Sequence, residues 1–191
     1  MTGRSSQDRE LIRRYLAGDA DAFEALMAAH EGRVFSICLR MLRNRDSALD
    51  ATQDVFLTVF RKVDRYKEQA AFSTWLYRVT VNTCYDHLRR EKRKRTDAMP
   101  DHLDPPDPRS EDAIGAVELR PDIERALQTI APEFRAAAIL VDIEGLSLQG
   151  AADILGVPIG TVKSRVFRAR RQLAIELGNL APPPRHPKEE P

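Results

Sequence analysis

The sequence predicts an all-α fold: two small helical domains joined by an acidic, proline-rich linker, the second containing a helix-turn-helix. Three observations carry this. Apolar residues recur at helical spacing almost throughout, and no stretch alternates apolar and polar long enough for a sheet. Pro100, Pro105, Pro106 and Pro108 fall close together with Asp101, Asp104 and Asp107, a composition that reads as extended chain because proline blocks the helical ladder. Gly156 and Pro158 punctuate two apolar-periodic segments in the pattern helix, tight turn, helix. The expected division is 1–96 for the first domain, 97–112 for the linker, 113–180 for the second domain and 181–191 for a disordered tail.

Element by element, Leu11–Ala17 and Ala22–Leu42 read as amphipathic helices, with Gly18-Asp19 breaking one from the other. Ser47–Val63 is the third, where Ser47-x-x-Asp50 has the form of a capping box with Asp in place of Glu. Phe72–Arg95 is the fourth. Helices are expected to resume at Ala113–Ile130, Glu133–Glu144, Leu148–Leu155 and Pro158–Leu177. Gly156 suits a left-handed helix C-cap, and Pro158 suits the first turn of a helix.

Composition excludes several classes. With 191 residues, 42% hydrophobic and 31% charged, the chain is globular rather than disordered. Its longest apolar run, Ala136–Val141, is too short to span a bilayer, so no direct membrane insertion is expected. The N-terminus has no apolar core of a secretory signal, and Cys38 and Cys84 cannot make a disulfide framework, which points to the cytoplasm. No Walker A loop, GxGxxG or HExxH occurs. Cys84 and His87 sit three apart without a second ligand pair, so no metal, cofactor or catalytic residue is expected, and the protein reads as a non-enzyme.

The 30 basic and 29 acidic side chains nearly cancel, yet they are segregated. Residues 61–95 carry 11 basic and 4 acidic groups, a net +7; residues 96–125 carry 3 and 9, a net −6; residues 156–175 carry 5 basic groups and no acidic one. Two basic blocks around an acidic spacer suit two contacts with a polyanion, although solvated helix faces would also account for them.

Helical phase sorts the candidates. Along the last helix Val162, Val166, Ala169 and Leu173 face a core, while Gly160, Ser164, Phe167, Arg168 and Arg171 face outward, with Lys163 at the edge. A small residue at the entry followed by cations is what a recognition helix needs in a major groove. Along Ser47–Val63, Ala48, Ala51, Val55, Phe56 and Val59 form the core stripe; Asp50, Gln53, Asp54 and Leu57 stand opposite, either as a solvated face or as a protein-docking patch. Along Phe72–Arg95, Phe72, Trp75, Leu76 and Val79 turn inward. Arg78, Asn82, Tyr85 and Arg89 share one stripe, whose cations, amide and ring suit unpaired bases. The run Arg89–Arg95 extends the positive surface.

Together these segments resemble a bacterial sigma factor of the extracytoplasmic-function group, which keeps only sigma domains 2 and 4. Asp50-Ala51-Thr52-Gln53-Asp54-Val55-Phe56 resembles the group's D-x-x-Q-[DE]-x-F element. Phe72-Ser73-Thr74-Trp75-Leu76-Tyr77-Arg78-Val79 with Asn82 resembles its F-x-T-W-L-Y-R-I-A-x-N element. Gly160-Thr161-Val162-Lys163-Ser164-Arg165-Val166-Phe167-Arg168-Ala169-Arg170 resembles its G-T-V-[KR]-S-R-[IL]-x-R-[AG]-[KR] helix. Thr80 departs from the usual Ala, and Lys163 stands where many relatives carry Arg. The resemblance implies docking on core RNA polymerase, on the β′ coiled coil through Asp50, Gln53, Asp54 and Leu57 and on the β subunit. It implies −10 capture and melting through Arg78, Asn82, Tyr85 and Arg89. It implies −35 recognition through Gly160, Thr161, Lys163, Ser164, Phe167, Arg168 and Arg171. It further implies a linker near the polymerase active site and RNA exit path, and an anti-sigma partner. Two other classes fit parts of the pattern: a helix-turn-helix regulator of duplex DNA, which needs neither the Asp50–Leu57 face nor the Arg78 stripe, and a polymerase adaptor, which needs no basic recognition face.

Overall fold

The computed structural model describes residues 2–66, 71–97, 126–127 and 129–177, without the side chains of residues 2–4, 95 and 97. Among these residues there are helices and turns and no strand. The acidic linker, most of the helix expected at Ala113–Ile130 and the tail lie outside them.

The first half is built from α1 (Thr2–Leu16), α2 (Ala20–Leu42), α3 (Arg45–Lys62), a 3₁₀ turn at Val63–Arg65, and α4 (Phe72–Asp97). Gly18, at φ 101°, turns the chain after α1 in a region an L side chain avoids. Asp19 then caps α2, its side chain accepting from the Ala22 amide at 3.3 Å. The α2–α3 corner is tighter. Arg43 adopts the left-handed conformation (φ 63°) and returns its amide to the Leu39 carbonyl at 2.8 Å. Asn44 then caps α3 by accepting from the Ser47 amide at 2.8 Å. The expected capping box at Ser47 is therefore wrong: Ser47 lies inside the first turn, because the chain re-enters helix directly after Arg43. Buried Leu26, Val34, Ile37 and Met41 of α2 meet Val55 and Val59 of α3 and Leu76 and Val81 of α4 in one apolar core. Thr80, the departure from Ala, is fully buried and satisfied, its hydroxyl donating to the Leu76 carbonyl at 2.9 Å.

The second half comprises α5 (Pro132–Ala138), a wider π-helical turn at Ile139–Ile143, α6 (Leu148–Leu155) and α7 (Ile159–Glu176). The helix expected to run unbroken over Glu133–Glu144 thus changes pitch at Ile139. There the Glu144 amide reaches back five residues to the Ile139 carbonyl at 2.9 Å. Ser147 caps α6 through the Gly150 amide at 3.0 Å, and Gly156 closes it at φ 64°. Pro158 occupies the N-cap of α7 rather than its first turn, and the helix begins at Ile159.

The two halves pack on each other: α4 lies against α6, and α2 against α5. Ala136, Ala137, Ile139, Leu140, Ala151 and Ile154 belong to the same continuous buried cluster as the core of the first half.

Candidate nucleic-acid interface

Helix α7 presents the face its phase predicts. Val162, Val166 and Ala169 are buried and Leu173 packs at the edge of a second small cluster with Leu127 and Ile130. Gly160, Lys163, Ser164, Phe167, Arg168 and Arg171 are exposed, and Thr161 is half-buried beside them. Phe167 is 67% exposed, an aromatic side chain left in solvent on a cationic surface. Two arginines have internal work. Arg170 grips the Asp142 carboxylate with two nitrogens, at 2.5 and 3.2 Å, and ties α7 to the π-helical turn. Arg168 lies over the Phe134 ring, 5.5 Å from its centroid, which holds the guanidinium near the base of α5 while leaving it accessible.

The α4 stripe is only partly open. Asn82 and Arg89 are exposed, and Arg90, Lys92, Arg93 and Lys94 continue the basic surface toward the helix end. Arg78 is engaged: its Nη2 donates to the Asp153 carbonyl of α6 at 2.6 Å. Tyr85 is half-buried under the second half, and burial pushes its hydroxyl above the usual tyrosine range against the opposing Arg165 charge. The expected single surface is thus split. Asn82 and Arg89 are exposed, Arg78 is exposed although bonded to the second half, and Tyr85 is half-buried. Tyr77 lies one residue from Arg78 and off the sequence-derived stripe. It is buried, with its hydroxyl donating to Glu144 at 3.3 Å.

The α3 face also divides. Asp50, Gln53 and Leu57 are exposed. Asp54 is shared with α4: His87 Nε2 donates to its carboxylate at 2.9 Å, and Arg90 stands 3.8 Å away. Helical phase around α3 alone could not show this, because the neighbour comes from a residue 33 positions later. The structure adds Leu49 and Phe60, 43% and 54% exposed, at helical spacing with Gln53 and Leu57. Their signal was present as a second apolar stripe on the same helix. Phe60 nevertheless braces the domain, meeting the Phe23 ring edge-on at 5.4 Å between centroids.

The sigma-70 region 2 model matches residues 26–94, and the sigma-70 region 4 model matches residues 120–173. The chain is 38% identical to the ECF RNA polymerase sigma factor SigM of Mycobacterium tuberculosis over 173 residues, 91% of this chain and 86% of that one. The chain belongs to the ECF sigma factors of the sigma-70 family. It is also 40% identical to SigE of Mycolicibacterium smegmatis over 155 residues, spanning 80% of this chain but 60% of that longer relative. Among solved structures, the sigma factor RpoE of Bartonella quintana, crystallised with the anti-sigma factor NepR, matches with a TM-score of 0.66 and 27% identity. That match covers 81% of this chain and 96% of RpoE.

An ECF sigma factor directs promoter-specific transcription initiation by RNA polymerase, a regulatory DNA-binding role. Among the described residues no helix is long and apolar enough to cross a membrane, and no His, Cys, Asp or Glu cluster has the makings of a metal site.

Proposed function

We propose that this sigma factor divides its work among three helices. The exposed α3 face, Asp50, Gln53, Leu57 and the accessible edge of Asp54, docks on the β′ coiled coil of core polymerase, with Leu49 and Phe60 widening the apolar contact. The α4 stripe, Arg78, Asn82, Tyr85 and Arg89, takes up unpaired −10 bases and holds the strand open by binding it. The α7 face, Gly160, Thr161, Lys163, Ser164, Phe167, Arg168 and Arg171, enters the −35 major groove. The observation that carries the reading is the α7 face. A left-handed Gly156 sets the angle between α6 and α7, and the outward face of α7 bears cations and a small entry residue with no acidic side chain before Glu176.

The halves at 1–96 and 113–180 act as separate DNA contacts in the polymerase complex, linked by the acidic stretch 97–112 running near the active site and RNA exit path. The second half also touches the β subunit. RpoE is bound by an anti-sigma factor in its crystal structure, and a partner of that kind fits this chain in the cell. Its role is binding rather than catalysis.

In vitro transcription with core enzyme on a genomic promoter library tests the whole assignment. Transcripts from a small promoter set sharing spaced −35 and −10 elements, absent without this protein, are the expected result. Duplex binding without any polymerase-dependent transcript would return the protein to the duplex-regulator class.

A further inference from the structure

Arg33–Glu144 and Arg135–Met41 tie the two halves across the seam between them. The bond from His87 to Asp54 is of another kind. It joins two helices of the first half, and its acceptor stands in the face assigned above to polymerase. The two intramolecular contacts of Asp54 fall on one oxygen: His87 Nε2 is 2.9 Å from Oδ2, and Arg90 Nη1 is 3.8 Å from the same Oδ2. The second distance is too long for a hydrogen bond and Arg90 is itself exposed, so Arg90 adds a screened attraction and no direction. His87 supplies the direction. Its side chain is 16% exposed against 44% for Asp54, so a packed imidazole grips a carboxylate that still reaches solvent. Asp50, Gln53 and Leu57 are exposed on the same helix around it.

We propose that His87 is a positioning residue for polymerase docking: it anchors Oδ2 of Asp54 and leaves Oδ1 as the acceptor presented to an N–H or cationic donor of the polymerase. This rests on the reading of the α3 face as the docking surface. A carboxylate accepts several donors, so one oxygen can be held from within while the other receives from outside. The gain is preorganisation. A free aspartate turns among rotamers and surrenders that freedom on binding, whereas one already fixed by a neighbour loses less. The donor comes from α4, the helix that bears Asn82 and Arg89, so one side-chain bond also sets the polymerase contact relative to the helix read as the −10 strand site.

The measurement is the affinity of the full chain for core RNA polymerase, with the melting temperature of the free protein beside it. His87→Ala removes the donor and should weaken core binding about fivefold. His87→Gln should recover most of the loss, because an amide nitrogen at similar reach donates in place of Nε2. The decisive comparison is a double-variant cycle: once Asp54→Ala has removed the acceptor, His87→Ala should change core affinity no further. A histidine that only stabilised the fold would weaken binding in both backgrounds, in step with the melting temperature, and glutamine would not rescue it selectively. Full additivity of the two variants overturns the proposal, as does a glutamine variant as weak as alanine. Wild-type affinity of His87→Ala, where Asp54→Ala is impaired, also overturns it and leaves the docking face standing. If Asp54→Ala and Leu57→Asp both bind core as the wild type does, the docking reading itself has failed and this proposal falls with it. Should His87→Ala fail to fold, His87→Leu, which fills the space without a donor, replaces it throughout the cycle.

Discussion

Arg135 of α5 donates to the main-chain oxygen of Met41, 94 residues earlier at the end of α2. The last carbonyls of a helix have no partner within it, and they carry the negative end of the dipole. A cation supplied from the other half satisfies one of them in a site where Arg135 is only 2% exposed. Burial pulls its pKa down to about 10, so the group is still charged at neutral pH. Arg135→Met should leave the Met41 and Ile130 carbonyls without that donor and cost about 1–3 kcal/mol. Urea unfolding with an unchanged midpoint would mean that water replaces the guanidinium.

The cap of α3 offers a clean contrast. Asn44→Ala removes the side chain that receives the Ser47 amide and should destabilise by about 1 kcal/mol, whereas Ser47→Ala should be near neutral. Thermal melts of the two variants decide between them. Equal losses would reinstate Ser47 as a capping residue.

Docking on polymerase is best tested at Leu57, which is 51% exposed. Leu57→Asp should weaken association with core enzyme at least about tenfold with an unaltered melting temperature. Asp54→Arg should weaken association too, by about 2–5 kcal/mol. It should also lower stability, because it removes the acceptor of His87 and faces Arg90 with a like charge. Native gel titration against core enzyme and calorimetry on the free protein separate the two effects.

The two DNA contacts should fail differently. Arg168→Ala should cost about 1–3 kcal/mol at the −35 element and be offset by raising protein concentration. Asn82→Ala should leave −35 duplex binding intact and slow opening at −10, and a pre-melted bubble should rescue it. Open-complex formation on matched duplex and bubble templates is the measurement. Equal rescue of both variants by the bubble would refute the division of labour.

Tyr77 gives the seam a pH dependence. Burial, followed by the Glu144 charge, pushes its hydroxyl from 10.0 up to about 12. The folded state therefore holds this proton where the unfolded state has lost it. The stabilisation is present in full below pH 10 and is lost as pH rises toward 12, about 2–3 kcal/mol in all. Arg135 works in the opposite sense over an overlapping window, since its folded pKa lies below its unfolded one. The difference between wild type and Tyr77→Phe isolates the tyrosine: the phenylalanine variant should lose less stability between pH 10 and 12 in urea titrations. Parallel curves would show that the hydroxyl ionises as freely in the fold as outside it.

Local chemistry and helical period made much of this protein legible in its amino-acid order. Gly156 after an apolar-periodic segment announced the turn between α6 and α7, and the spacing of Val162, Val166 and Ala169 announced which face of α7 is buried, because a single helix carries both its period and its breakers within a few residues. The three family motifs, each lying within one helix, were readable for the same reason. What lay beyond the sequence was every relationship between helices far apart in the chain. Asp54 belongs to His87 as much as to any external partner, Arg78 and Tyr85 meet the second half, and Arg135 and Glu144 tie the two halves together rather than standing as ordinary surface charges. Periodicity says which way a side chain leaves its own helix. Which neighbour desolvates it, and whether that neighbour offers a compensating charge or carbonyl, is decided only when helices from both halves close around one core.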